Sequence, residues 1–110
     1  MKTNLTINYT QLGKDVYARL SGSLRSLSAI DLNEKLHKQV RPQQQLIVDM
    51  TEVTEVDLTG LNALLSTRIQ CAAKKSNMFL KMGVKHPLRD LLALTKFENQ
   101  FDYLSVEYSI

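Results

Sequence analysis

The sequence contains few of the residues that cross-link, disorder or interrupt a polypeptide chain. Its 110 residues include one cysteine, two prolines, four glycines and no tryptophan. Because Cys71 has no second cysteine to pair with, it cannot form an internal disulfide bond, and this predicts a reducing compartment. With 44% hydrophobic residues and so little glycine and proline, the composition is that of a folded globular domain rather than a low-complexity chain.

Long hydrophobic runs are also missing. No stretch approaches the roughly 20 consecutive apolar residues that a helix needs to cross a bilayer. Thr6, Asn8 and Thr10 interrupt the apolar positions near the N-terminus, so we predict no signal peptide. These features predict a cytoplasmic protein that does not insert into a membrane.

Charge of one sign is not concentrated anywhere in the chain. The 14 basic and 11 acidic residues give a net charge of +3, and the longest basic run is the pair Lys74-Lys75. Nucleic-acid-binding proteins usually gather basic residues on one surface and often add aromatic residues for base stacking. We therefore do not expect a nucleic-acid partner.

Alternating apolar residues predict a β-hairpin at the start of the chain. Leu5, Ile7 and Tyr9 alternate with polar residues, and a second alternating stretch ends at Ser21-Gly22. Gln11 to Lys14 supplies the turn between them. Only one face of each strand is polar, so the hairpin is expected to pack its other face against a core.

A helical period follows the hairpin. One apolar stripe lies opposite a polar one, and it consists of Ala29, Leu32, Leu36 and Val40. Ser28, with Asp31 three residues later, predicts the N-terminal cap of this helix, and Arg41-Pro42 predicts its end. The short apolar run Leu46–Met50 then has the character of a central strand that is covered on both faces.

The rest of the chain predicts two further strand and helix units. Residues 51–57 are expected to connect, with Val53 and Val56 as buried anchors, and a second helix opens at Asp57. The inward residues predicted for that helix are Leu61, Leu64, Leu65, Ile69 and Ala72. Met78–Met82 predicts a strand, Pro87 the first turn of a third helix and residues 103–108 a weaker strand. The prediction is a single α/β domain over residues 1–110, with order β-β-α-β-α-β-α(-β) and a mixed sheet of four to five strands.

The sequence offers little catalytic or metal-binding chemistry. His37 and His86 are isolated from other ligand-type residues, and we interpret both as surface residues. Cys71 falls on the apolar side of the second helix, where a small core residue is the simpler interpretation than a reactive thiol. We therefore predict no metal ion, no cofactor and no enzymatic activity.

The most informative segment is Asp57-Leu58-Thr59-Gly60, which leads from a buried strand into a helix. One interpretation is structural, because Asp57 or Thr59 can accept hydrogen bonds from the free N–H groups of the first helical turn. The other is functional, because an exposed Thr59 hydroxyl at a helix N-terminus can accept a phosphoryl group that these N–H groups would stabilise.

This segment resembles the signature of STAS domains of the anti-sigma-factor-antagonist type, in which an Asp-Ser-Ser/Thr-Gly-Leu sequence opens the second helix. Val16 to Leu24 is similar to the second strand of that family, Leu46 to Asp49 to the strand before the signature, and Val84 to Thr95 to its late loop and helix. The resemblance covers nearly the whole chain in order.

The resemblance implies a partner switch without catalysis by this chain. The family binds an anti-sigma factor that is also a GHKL-type serine/threonine kinase, and a PP2C-type phosphatase reverses the phosphorylation. Carried over, Thr59 is the phosphorylation site, and the partner-binding residues are Asp57, Leu58, Thr59, Gly60 and Arg25.

Two residues depart from the family pattern. Leu58 replaces the first serine of the signature, and Arg25 stands where relatives often have an acid. Arg25 is either solvated or paired with Asp57 or with phosphorylated Thr59. An alternative function is a non-phosphorylated scaffold subunit of a larger regulatory or lipid-transport complex.

Overall fold

The computed structural model of the protein describes residues 5–104. The predicted hairpin is confirmed, with strand β1 at Leu5–Leu12 and strand β2 at Asp15–Leu24 paired antiparallel. Leu12 pairs with Asp15, so the turn consists of Gly13 and Lys14, and Gly13 has a φ of 62° that favours glycine. Strand β2 runs two residues beyond its predicted end at Ser21-Gly22.

Five strands form one sheet in the order in which they occur along the chain. Strands β3 (Gln45–Val56), β4 (Asn77–Lys81) and β5 (Asp102–Leu104) each pair parallel with the strand before them. The predicted α/β class and mixed sheet are confirmed. Strand β5 includes the start of the predicted last strand, and residues 105–108 of that prediction lie outside the described residues.

Strand β3 is longer than predicted. The stretch from residue 51 to Val56 is not a connection, because it continues the strand and pairs with β2 to the end of both. Two register shifts each place one extra residue in β3, between the partners of Arg19 and Ser21 and between those of Gly22 and Ser23. Such bulges break the two-residue alternation that marks a strand in a sequence. Val53 is buried and Val56 partly buried, as predicted.

Three helices connect the parallel strands: α1 (Leu27–Gln39), α2 (Leu58–Ala73) and α3 (Pro87–Thr95). Helices α1 and α2 pack against each other, and their leucines join those of β2, β3 and β4 in one hydrophobic core. The largest side chains with no exposed surface include Leu20, Leu32, Leu36, Leu61, Leu64 and Leu80. The core therefore fixes α2, and the segment that opens it, against the sheet.

The inward face of α2 differs from the prediction at two positions. Ile69 and Ala72 are exposed, and the buried stripe passes through Thr67 and Cys71 instead. Thr67 can be buried because its hydroxyl donates a hydrogen bond of 2.9 Å to the carbonyl of Ala63 one turn earlier. The prediction that Cys71 is a core residue is confirmed.

The prediction that Ser28 caps α1 is wrong. The helix begins at Leu27, so Ser28 lies inside its first turn, where it is buried. Its hydroxyl accepts the N–H of Arg25 at 2.9 Å and lies 2.7 Å from the carbonyl of Ser23. Ser28 therefore fixes the loop between β2 and α1 rather than the end of the helix.

The prediction that both histidines are surface residues is wrong for His86. This residue is buried at the N-terminus of α3, with Pro87 in the first helical turn as predicted. Nε2–H donates to the carbonyl of Met50 at 2.7 Å, and Nδ1 accepts the N–H of Leu88 at 3.0 Å. Burial lowers the pKa of His86, as does the charge of Arg89, and the ring is held as the neutral Nε2–H tautomer.

Asp49 is a buried carboxylate on β3, the central strand of the sheet. Asp49 on β3 accepts a hydrogen bond from the Tyr17 hydroxyl on β2, and it accepts the N–H of Thr51 at 2.9 Å and its hydroxyl at 2.7 Å. Burial raises the pKa of Asp49, but these hydrogen bonds and the charge of Lys81 outweigh it, so the pKa is lowered overall. Asp49 therefore stays ionised within a satisfied network that joins neighbouring strands.

Candidate functional site

Thr59 lies in the first turn of α2 with its side chain exposed. Within residues 5–104 its hydroxyl forms no hydrogen bond with another group. Thr59 is not the cap of the helix, because Asp57 occupies that position. The hydrogen bond that caps the helix is therefore made by the carboxylate of Asp57 and not by the hydroxyl of Thr59.

Asp57 joins the start of α2 to the loop that precedes α1. One carboxylate oxygen accepts the N–H of Gly60 at 2.9 Å, and the other accepts the N–H of Ser26 at 3.2 Å. The backbone N–H of Asp57 donates to the carbonyl of Leu24 at 3.3 Å. These three bonds hold the β2–α1 loop against the first turn that carries Thr59.

Gly60 makes the close approach between these segments possible. A Cβ atom at this position would lie 2.4 Å from the carbonyl oxygen of Leu24 and 2.9 Å from its Cγ atom. Real Cβ atoms do not approach a backbone oxygen so closely, so only glycine fits without a shift of the chain. The glycine of the segment is thus required for packing.

Arg25 pairs with Glu55 and not with Asp57. Its Nη1 atom lies 3.2 Å from the Oε2 atom of Glu55, which also accepts a hydrogen bond from the Ser23 hydroxyl. These hydrogen bonds, from Ser23 first and then from Arg25, lower the pKa of Glu55, and the charge of Arg25 lowers it further. Of the alternatives given for Arg25, a pair with Asp57 is absent from the part of the chain that the structure describes.

Glu55 is a site residue that the sequence did not reveal. Strand pairing places it opposite Ser23, two residues before Asp57, and this pairing depends on the bulged half of β3. A prediction that extended β3 to Val56 would have placed Glu55 on that strand, two residues before Asp57.

Ser26 adopts a backbone conformation that is costly for a residue with a side chain. Its φ of 49° and ψ of −116° lie outside the regions that L-residues ordinarily occupy. The bond from its N–H to Asp57 and the contacts of Ser28 with the same loop hold it there. Conformations of this kind persist where surrounding structure fixes them, often beside functional sites.

Exposed apolar side chains lie at the starts of α1 and α2. Leu58 precedes Thr59 with 58% of its surface exposed, and on α1 the exposed fractions are 52% for Leu27 and 55% for Ile30. A groove of about 280 Å³ runs between the two helices and is lined by Ala29, Ile30, Asn33, Thr59, Asn62, Ala63 and Ser66. We call Leu27, Ile30 and Leu58 the apolar rim. Clustered exposed apolar side chains are typical of surfaces that bind another protein.

A larger groove of about 440 Å³ lies apart from Thr59, at the end of β3 and the start of α3. Its lining residues are Thr51, Val53, Thr54, Gly83, Lys85, His86 and Pro87. Both ring nitrogens of His86 are already bonded to the protein backbone, so this groove presents no free imidazole to a ligand.

Residues 5–104 contain no group of three or more histidine, cysteine or acidic side chains placed to hold a metal ion. Over the same residues, no helix combines the length and apolar character that crossing a bilayer requires.

Comparison with known proteins identifies the family. The STAS domain profile matches residues 6–108 of the sequence. No curated protein sequence gives a significant match. An anti-sigma factor antagonist from Mycobacterium paratuberculosis has a similar structure, with a TM-score of 0.78 and 18% identity over 90% of this chain and 84% of that chain.

Two other solved structures are similar. The anti-sigma factor antagonist SpoIIAA, in its unphosphorylated form, gives a TM-score of 0.67 at 14% identity, over 90% of this chain and 87% of that chain. A Thermotoga maritima protein, described as a candidate anti-sigma factor antagonist, gives 0.75 at 14% identity, over 92% and 88%. At such identities the likeness establishes a shared fold.

Proposed function

Because the chain belongs to the STAS domain family, we propose that it is an anti-sigma factor antagonist, which binds an anti-sigma factor and so frees a sigma factor. The observation that carries this proposal is the exposed residue Thr59 at the start of α2, whose hydroxyl has no partner within residues 5–104, together with the apolar rim. The proposed partner is an anti-sigma factor that is also a GHKL-type serine/threonine kinase. Since ATP and sigma factors are cytoplasmic, we place the protein in the cytoplasm.

The proposed modification is phosphorylation of Thr59 by that partner. The Oγ1 atom of Thr59 attacks the γ-phosphorus of ATP bound to the kinase, the new O–P bond forms, and the bond to the leaving ADP breaks. The hydroxyl proton passes to a base on the kinase. A PP2C-type phosphatase reverses the reaction with water, which releases inorganic phosphate and restores the hydroxyl. The chain itself is the substrate and supplies no catalytic group.

Phosphorylation would weaken the complex through charge. A phosphate adds about −1.5 to −2 charges at pH 7, two residues from the carboxylate of Asp57. An unpaired charge buried in an interface costs about 2–5 kcal/mol. Since about 1.4 kcal/mol corresponds to a tenfold change in affinity, binding would weaken about 30-fold to several-thousand-fold.

The experiment combines the protein with its cognate kinase and ATP. We expect one phosphate on the wild-type chain and none on Thr59→Ala, measured by intact mass and by mapping of the phosphopeptide. Thr10→Ala, which changes an exposed threonine on β1, is the matched control and should be phosphorylated like the wild type. A phosphate mapped to another residue would reject the assignment of Thr59.

A non-phosphorylated scaffold is the second candidate function. The apolar rim favours it to the same extent, because exposed apolar side chains can hold a partner without any modification. A titration separates the two functions. A switch requires that phosphorylated protein bind its partner at least about 30-fold more weakly than unmodified protein. Equal affinities would favour the scaffold.

A further inference from the structure

Arg25 is a cation within the loop that Asp57 holds against the start of α2. The residue before it, Leu24, accepts the N–H of Asp57 at 3.3 Å, and the residue after it, Ser26, donates its N–H to the Asp57 carboxylate at 3.2 Å. The backbone of Arg25 is therefore anchored on both sides to the residue that caps α2. Thr59 lies two positions after that cap, in the same helical turn.

We propose that Arg25 binds the phosphate once Thr59 is phosphorylated, and that its guanidinium leaves Glu55 to do so. This inference rests on the proposed function, because it takes Thr59 as the residue that carries the phosphate. Arg25 is then the regulatory residue of the site, and Glu55 is the anion that holds Arg25 in the unmodified protein.

The exchange is favoured because the ion pair between Arg25 and Glu55 in the unmodified protein is weak. Arg25 and Glu55 form a pair in which the side chains are 55% and 54% exposed, and water screens such pairs strongly. A phosphate carries up to twice the charge of a carboxylate and offers three acceptor oxygens. The planar guanidinium can bind two of these oxygens at once, which makes a phosphate the stronger partner.

The exchange that we propose involves the Arg25 side chain and leaves the β2–α1 loop in place. The β2–α1 loop is held by the bonds of Asp57 and Ser28, so the position of the Arg25 backbone is fixed. The long side chain of Arg25 is more than half exposed and can change rotamer in solvent. Glu55 keeps the hydrogen bond from Ser23 after Arg25 has left.

Phosphorylation then changes the surface at two places. The phosphate gains a cation, and the carboxylate of Glu55 loses one, so the anion left unpaired beneath a partner is Glu55 rather than the phosphate. A partner that binds the unmodified surface through Arg25 therefore loses that contact and meets an uncovered anion instead. The charge effect of phosphorylation extends from the start of α2 to the end of β3.

The test uses full-length protein in which phosphothreonine is introduced at position 59 by genetic encoding, so that no kinase is needed. Carbon NMR titration measures the pKa of Glu55 in four proteins: wild type and Arg25→Gln, each with and without the phosphate. Arg25→Gln keeps most of the side-chain length and removes the charge. Arg19→Gln, at an exposed arginine that pairs with Asp49, is the matched control.

We expect phosphorylation to raise the pKa of Glu55 more in wild type than in Arg25→Gln, because only wild type has an arginine to lose. We also expect phosphorus NMR to give a second phosphate pKa that is lower in wild type than in Arg25→Gln by about one unit. Arg19→Gln should behave as wild type in both titrations.

An equal rise for Glu55 in wild type and Arg25→Gln would overturn the inference, since repulsion by the phosphate would then be the whole effect. This result would leave the proposed function intact. Conversely, failure of a kinase to modify Thr59 would reject the proposed function. It would not alter these titrations, because the phosphothreonine is genetically encoded.

Discussion

At the scale of single residues, two side chains divide the start of α2 between them. Asp57 caps the helix, and Thr59 keeps a hydroxyl that takes no part in capping. The first turn of a helix leaves N–H groups without partners, and a nearby hydroxyl commonly satisfies one of them. Here the carboxylate of Asp57 accepts the N–H of Gly60, so Thr59 is released from that role. The free hydroxyl follows from the presence of a better acceptor two residues earlier.

Gly60→Ala should lower the free energy of unfolding by about 1–3 kcal/mol, because its methyl group would lie 2.4 Å from the Leu24 carbonyl oxygen. Urea denaturation measures the change. Asn62→Ala, at an exposed position of the same helix, is the control and should stay within about 0.5 kcal/mol of wild type. If alanine at position 60 were as stable as the control, the close packing described for this turn would be wrong.

At the scale of elements, α3 depends on an N-terminal cap that is sensitive to pH. The neutral ring of His86 accepts the Leu88 N–H through Nδ1, and protonation of Nδ1 would remove this acceptor. Burial holds the pKa of His86 below its ordinary value of about 6.5, so the folded protein resists protonation.

The free energy of unfolding should therefore decrease as pH falls. Above about pH 6.5 His86 is neutral in both states, and its contribution is complete. Below that value the unfolded chain binds a proton that the folded chain resists, so stability declines until the pH reaches the lowered pKa of the folded state. Urea denaturation between pH 7.5 and pH 4.5 (about three units spanning the ordinary value) measures this slope.

His86→Asn keeps a side-chain acceptor at the N-terminus of α3 and removes the titrating group. We expect a smaller dependence of stability on pH in this variant than in wild type. Equal slopes for the two proteins would show that His86 does not cause the decline.

The elements themselves could largely be predicted because their signals are local. Alternation identified β1 and β2, a helical stripe identified α1, and Pro87 identified the start of α3. The second half of β3 escaped prediction because its bulges exist only in relation to β2. The burial of His86 escaped for a similar reason, since its partner Met50 lies 36 residues away in the sequence.

The residues of the candidate site also differ in whether local sequence could predict them. Asp57, Thr59 and Gly60 could be proposed because a short contiguous segment opens a helix and resembles the family signature. Glu55 required knowledge of the pairing between β2 and β3, and Ile30 required knowledge that α1 packs beside α2. Local sequence therefore predicted the hydroxyl, and tertiary packing determined its surroundings.

At the scale of the whole molecule, the residues that stabilise the fold and those of the proposed partner surface are separate even within one helix. Leu61 has no exposed surface, while Leu58, one turn earlier on α2, is 58% exposed. Leu61→Ala should lower the free energy of unfolding by about 2–5 kcal/mol, and Leu58→Ala should change it by no more than about 0.5 kcal/mol.

Thermal or urea denaturation of both variants provides the comparison, and each serves as the control for the other. A large loss of stability in Leu58→Ala would contradict the assignment of this side chain to the apolar rim, because it would then belong to the core.

The order of the strands has a consequence for synthesis on the ribosome. Strand order in the sheet equals strand order in the chain, so each described strand pairs with the one made just before it. A nascent chain can therefore extend the sheet at its growing edge, and no strand has to enter between two that are already joined. The segment that carries Thr59 emerges after β1, β2 and β3, so the strands that flank its helix in the chain are available in the order in which they pair.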